Sequence, residues 1–150
     1  MGLKETLQGD LTEAIRSRDE LTSGTIRMIL SAITNEEVSG KSARVLTDAE
    51  IITVLSRESK KRREAADAFR EAGRADKSQL ETDEGEVIAR YLPAQLSETD
   101  LKKLISDAIT ETGAAGPSGM GLVMKKIQPQ IAGKADGGLV SSLVKAALNG

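Results

Sequence analysis

Five cations fall within seven residues of the stretch SRESKKRREAADAFREAGR, residues 56–74: Arg57, Lys60, Lys61, Arg62 and Arg63. Ammonium and guanidinium groups at that density are the chemistry of phosphate contact. They are equally the chemistry of a solvated helix face. Spacing separates the two readings. Glu58 stands four residues before Arg62, Lys60 four before Glu64, and Arg63 four before Asp67, so a helical stretch gives each of these cations a carboxylate one turn away. Arg57 and Lys61 stack on one face with no carboxylate at that spacing, and they stay candidates for phosphate. If Gly73 reverses the chain into a helical hairpin, Glu81, Asp83, Glu84 and Glu86 come alongside. The compensated face is the favoured reading.

A second, sparser set of cations lies near the end of the chain. From Gly113 to Gly150 the charged residues are Lys125, Lys126, Lys134 and Lys145 against Asp136 alone. A protein with net charge −2 thus carries a locally basic end. Contacts to the backbone of a folded RNA need cations and shape, and they do not need aromatic side chains. The alternative is four ordinary solvated lysines. Two further charges stand out for a different reason. Arg62 falls inside the apolar stripe of Leu55, Ala66 and Phe69, and Glu37 inside that of Ile26, Leu30 and Ile33. An unpaired buried charge is costly, so an internal Glu37–Arg62 ion pair that docks two helices is expected. No base, nucleophile or metal cluster accompanies them to suggest catalysis.

Composition removes whole classes of chemistry. There is no cysteine and no histidine among the 150 residues. Thiolate metal sites, disulfides, cysteine nucleophiles and Ser-His-Asp arrangements are excluded, along with the usual general base. No catalytic residue, metal or cofactor is assigned. One Phe, one Tyr and no Trp leave no platform for stacking bases. The segment SGKS, residues 39–42, resembles the end of a phosphate-binding loop, but Asn35 stands where that pattern needs glycine. It reads better as a loop between helices. No apolar run approaches the roughly 20 residues that span a bilayer. The opening MGLKETLQGD is polar at once, so a cytoplasmic protein with no membrane partner is expected.

The elements that must position these residues are helical throughout. Leu3, Leu7, Leu11, Ala14 and Ile15 form one stripe, and Ile26, Ile29, Leu30 and Ile33 a second. Thr47 with Glu50 has capping-box spacing, which starts a third helix near Asp48. Gly73 ends it. A fourth helix runs through Leu80, Val87, Ile88 and Tyr91. Pro93 breaks the pattern, and Ser97 caps a fifth helix carrying Leu101, Leu104, Ile105, Ala108 and Ile109. Met120, Val123, Met124 and Ile127 make a short sixth helix disturbed by Pro129. Leu139, Val140, Leu143, Val144 and Leu148 make the last. The fold class expected is all-α: a four-helix N-terminal domain over 1–92 and a small three-helix tail domain over 97–150.

Four segments together resemble the stand-alone members of the GatB/YqeY family: TIRMILSAITNEE, RESKKRREAADAFREAGRAD, YLPAQLS and MGLVMKKIQPQIAGKADGGLVSSLVKAAL. The specific part is a G-x-V-M-K pattern at Gly121, Val123, Met124 and Lys125, followed by Gly133, Lys134, Ala135, Asp136, Gly137, Leu139, Val140, Leu143, Val144 and Lys145. The resemblance implies a helical domain with a three-helix tail. It also implies kinship with the tail of the B subunit of the tRNA-dependent amidotransferase, a region that contacts tRNA. The catalytic domain of that subunit has no counterpart here. The function expected is a non-catalytic accessory module that binds tRNA or other RNA through Lys125, Lys126, Lys134 and Lys145, with Arg57 and Lys61 a secondary patch. Two alternatives stand beside it. One is a module that docks on an aminoacyl-tRNA synthetase or amidotransferase complex. The other is an accessory to a carbon–nitrogen ligase with glutamine as amide donor, active only with partner subunits.

Overall fold

A computed structural model describes residues 2–149. Every regular element among them is helical: α1 (Leu3–Arg16), α2 (Glu20–Glu37), α3 (Asp48–Glu71), α4 (Ala75–Ala89), α5 (Glu98–Thr112), α6 (Met120–Ile131) and α7 (Gly137–Asn149), with a 3-10 turn at Pro117–Gly119. Contacts divide the chain into two compact units, Met1–Leu92 and Pro93–Gly150.

Local chemistry places the boundaries of the first unit. The Thr47 hydroxyl accepts from the Glu50 amide at 3.2 Å, and the Glu50 carboxylate accepts from the Thr47 amide at 3.2 Å. This reciprocal cap starts α3. At its other end Gly73 takes φ +75°, and the Arg74 amide reaches back to the Phe69 carbonyl at 2.8 Å. A left-handed residue closes the helix there, and glycine adopts that conformation without a Cβ penalty. The α1–α2 turn uses the same device with an arginine: Arg18 has φ 60°, and Asp19 then caps α2 by accepting from the Thr22 amide at 3.1 Å.

The core of this unit gathers Leu7, Ile26, Ile29, Ile33, Leu46, Ile51, Val54, Leu55, Val87 and Ile88. Truncating a fully buried isoleucine such as Ile29 to alanine costs about 2–5 kcal/mol. The apolar contact between α3 and α4 lies at the end of the hairpin that adjoins α2. Farther out, the inner face of α4 is polar. Leu80, within α4 as expected, is 51% exposed. Ser78 instead donates to the Ala66 carbonyl at 2.8 Å, and Glu81 and Glu84 turn toward α3. Tyr91 lies past the end of α4, where its O–H donates to Asp10 Oδ2 at 2.6 Å and ties the end of this unit to α1. Burial, and then that bond, push its phenol well above the usual range.

The second unit is a three-helix assembly around Leu101, Ile105, Ala108, Val123, Ile127, Ile131, Val140 and Val144. Ser97 and Asp100 cap α5 reciprocally, at 3.1 and 3.3 Å, and Gly113 ends it with φ 67°. Pro129 disturbs α6 less than its sequence suggests. The helix continues to Ile131, which is 4% exposed and anchored in the core. Proline removes one amide, and the helical partner it takes away is that of the Lys125 carbonyl, on a residue exposed to solvent.

Candidate nucleic-acid interface

The motif that carries the tail lysines is a helix, a pinned turn and a second helix. Lys125 and Lys126 are exposed on α6, and Lys145 is exposed on α7. Lys134 is half-buried in the connecting turn. That turn is held from both sides. The Lys134 amide donates to the Ile131 carbonyl at 2.8 Å, and the Lys134 carbonyl accepts from the Leu96 amide at 2.9 Å. Gln95 Nε2 donates to the Gly133 carbonyl at 2.9 Å. Gly133 has φ +71°, and the Asp136 carboxylate accepts from the Gly138 amide at 3.0 Å as α7 begins. The segment just after Pro93 therefore fixes the backbone on which Lys134 is mounted.

Helix geometry sorts the four lysines. Successive residues are about 100° apart around a helix. Lys126 turns toward α5, because its Nζ lies 3.2 Å from Glu111 Oε2 there. Lys125, one step back, lies on the other side of the outer face of α6, away from α5. On α7, Leu143, Ala146 and Ala147 line a groove against Lys102, Ile105, Ser106, Ile109 and Thr110 of α5. Lys145 lies on the flank opposite that groove. Lys125 thus lies on the outer face of α6, Lys145 on the flank of α7 away from α5, and Lys134 in the turn joining those helices. Among the described residues, none of these three meets a carboxylate in a salt bridge. Lys126 does, which corrects the expectation that the tail lysines are nearly all unopposed.

The cation run on α3 is arranged differently. Arg57 Nη2 reaches Glu36 of α2 at 3.2 Å, and Lys61 Nζ reaches Glu58 at 3.5 Å. Lys60 meets Glu64 at 3.9 Å. Arg57 and Lys61 were the two cations expected to lack partners. Partners come from a neighbouring helix and from three residues back, neither of which an i,i+4 count includes.

Glu37 and Arg62 also depart from expectation. Both are engaged, but with different partners. Glu37, 8% exposed, accepts from Lys4 Nζ at 2.7 Å and from the Leu46 amide at 3.2 Å, joining α1, the end of α2 and the approach to α3. The Lys4 bond first, then the Leu46 amide, lower its carboxyl below the usual range. Arg62 Nη1 lies 3.1 Å from Glu81 Oε2 and 3.3 Å from Glu84 Oε2, between α3 and α4. The predicted Glu37–Arg62 pair is replaced by these two clusters, because a helical wheel gives a side chain's face and not its partner.

Lys4, Gln95 and Glu111 are the residues that reasoning from sequence missed. Glu81 and Glu84 come alongside the cation run in the α3–α4 hairpin, as the acidic stretch after Gly73 was expected to. Gln95 and Glu111 act across gaps of 38 and 15 residues, which no local pattern encodes.

Among known proteins, a family model described as "Yqey-like protein" matches residues 4–148. The altered inheritance of mitochondria protein 41, mitochondrial, of Clavispora lusitaniae is 28% identical over 147 residues, 96% of this chain and 84% of its own length. The protein of the same name from Lachancea thermotolerans is 30% identical over 115 residues, 75% of this chain and 60% of its own. An uncharacterised protein of Schizosaccharomyces pombe is 30% identical over 96 residues, 63% of this chain and 76% of its own.

Proposed function

The chain belongs to the Yqey-like protein family, and from that premise we propose that it is a non-catalytic accessory module that binds tRNA or another folded RNA through its tail. In this reading residues 1–92 form a four-helix carrier domain and residues 97–150 a three-helix binding domain. One observation carries it. Lys125 on α6, Lys134 in the turn whose backbone is pinned, and Lys145 on α7 are without salt-bridge partners among the described residues. Three ammonium groups held on a small rigid surface suit phosphates, and long side chains reach them without base stacking. Such binding is broad in sequence and steep in salt.

The test is filter binding of purified tRNA at several salt concentrations, for the wild type and for the variant with Lys125, Lys126, Lys134 and Lys145 all changed to Gln. Weaker binding is expected, with the log–log salt slope flattened by about 2.7 if three lysines engage phosphate. Indistinguishable curves, or no binding of the wild type at low salt, count against RNA.

The groove between α5 and α7 favours a second reading. It measures about 490 Å³ and is lined by Ile105, Ile109, Leu143, Ala146 and Ala147 with a polar edge. Two helices flanking an apolar groove suit a partner helix, which fits docking on a synthetase or amidotransferase subunit. Pull-down before and after nuclease treatment separates the readings, since RNA-bridged partners are lost and directly docked ones remain. The ligase-accessory reading rests on the family resemblance alone.

A further inference from the structure

The lysine side of the tail ends at an acidic border. Glu111 is exposed on α5 and holds Lys126 at 3.2 Å. Asp107, one helical turn earlier, is exposed on the same edge of α5. Lys103, a further turn back, is exposed on that edge too, so the acidic stretch is limited to Asp107 and Glu111, and Lys125 of α6 lies away from it. We propose that Glu111, supported by Asp107, is an electrostatic border that withholds Lys126 from phosphate and confines a bound polyanion to the α6–α7 side. The proposal rests on the RNA-binding reading above and adds to it the residues that limit affinity and set orientation.

The physical argument has two parts. A phosphate that approaches Lys126 must displace a carboxylate already in contact with it, so the exchange replaces one anion by another and releases little counterion. The same phosphate then comes close to two like charges, Glu111 and Asp107, which repel it at short range and at low salt most strongly. Lys125 is adjacent in sequence but stands on the other side of the outer face of α6. A backbone crossing between Lys125 and Lys145 avoids both carboxylates. Two neighbouring lysines of one helix are thereby assigned different roles, which composition cannot do.

Filter binding of purified tRNA tests this with six full-length proteins: wild type, Glu111→Gln, Lys126→Gln, the double variant of these two, Asp107→Asn and Lys125→Gln. Releasing Lys126 adds one phosphate contact, so Glu111→Gln is expected to tighten binding by about three- to tenfold at low salt and to steepen the log–log slope by about 0.9. Lys126→Gln alone is expected to stay within about twofold of wild type, and the double variant to keep only the smaller gain that comes from removing the repulsion by Glu111, because the larger part passes through Lys126. Asp107→Asn, which leaves the Lys126 contact in place, gives a smaller gain in the same direction. All the substituted positions are exposed, and circular dichroism checks that folding is retained. Unchanged or weakened binding by Glu111→Gln overturns the proposal, as does a Lys126→Gln loss equal to that of Lys125→Gln. Wild type that fails to bind tRNA at all defeats the RNA reading itself. That outcome is distinct from wild type that binds while Glu111→Gln gains nothing.

Discussion

Between Arg57 and Arg63 the chain packs five cations into seven residues, whereas between Lys125 and Lys145 it spreads four lysines over a stretch three times as long. The dense run looks the better polyanion site, yet most of its cations are met by carboxylates. Arg57 is met by Glu36, Lys61 by Glu58, Lys60 by Glu64, and Arg62 by Glu81 and Glu84. In the tail, Lys126 is met by Glu111, while Lys125, Lys134 and Lys145 face no salt-bridge partner among the described residues. Cation density along a chain measures opportunity for ion pairs as much as opportunity for phosphate. The partners come from α2 for Arg57, from α3 itself for Lys60 and Lys61, and from α4 for Arg62. A short helix–turn–helix with few acids leaves its lysines to solvent.

The largest effect that sharpens this contrast is expected at Arg62. Its side chain is 21% exposed and lies between two carboxylates that are 17% and 22% exposed. Removing it leaves Glu81 and Glu84 side by side in a partly dry interface. We expect Arg62→Ala to destabilise the protein by about 1–3 kcal/mol, because it strands charge rather than because it deletes one contact. Thermal melting measures this, and tRNA affinity of the folded variant should be unchanged. A normal melting temperature, or a fall in affinity like that of the tail variant, would show that the hairpin cations serve a ligand after all.

What the sequence disclosed follows the range of each interaction. The Thr47–Glu50 and Ser97–Asp100 caps, the stop at Gly73 and the break at Pro93 are written within a few residues, and all are found where the spacing puts them. The apolar stripes of α1, α2 and α5 are also legible, since one helix sets its own periodicity. Partner choice is not legible. Glu37 finds Lys4 across 33 residues and Arg62 finds Glu84 across 22, so each charge was correctly read as needing a partner and wrongly matched. The polar outer half of the hairpin is illegible for a related reason: it closes on Ser78, Glu81 and Glu84 while Leu80 stays exposed, which a rule that looks for apolar faces cannot anticipate.

Acid breaks the contrast from the side of the first unit. Glu50 is held down to about 2 from an ordinary 4.5, first by the Arg44 guanidinium at 2.6 Å and then by the Thr47 amide. Glu37 is lowered in the same direction. A depressed carboxylate binds protons more readily in the unfolded chain. Its stabilisation is therefore complete above about 4.5 and is lost as pH falls toward about 2. The melting temperature should fall between those values, and Glu50→Gln should lower it slightly at pH 6 while flattening the drop, because water screens a pair that is 53% and 38% exposed. Wild-type and variant curves should converge at the acid end. Parallel curves would mean that Glu50 contributes nothing through its charge.

The smallest effect is expected where the sequence draws most attention. Arg57 and Glu36 are 49% and 39% exposed, so their 3.2 Å pair sits in water and is weak. Lys61 is exposed too, but it faces the buried carboxylate of Glu58 at 3.5 Å, and glutamine there keeps a donor of similar reach. The combined Arg57→Gln, Lys61→Gln variant should therefore lose no more than about 0.5–1 kcal/mol of stability. It removes two positive charges from the protein, as many as a double tail variant does, so any long-range effect of net charge on tRNA binding is matched between the two. Local contact is what differs. Filter binding should place the α3 variant within about twofold of wild type at low salt, while Lys125→Gln with Lys145→Gln loses at least about tenfold and flattens the salt slope. If the α3 variant loses as much as the tail variant, its carboxylate partners give way to phosphate readily, and ion pairing in the free protein is no guide to where a polyanion binds.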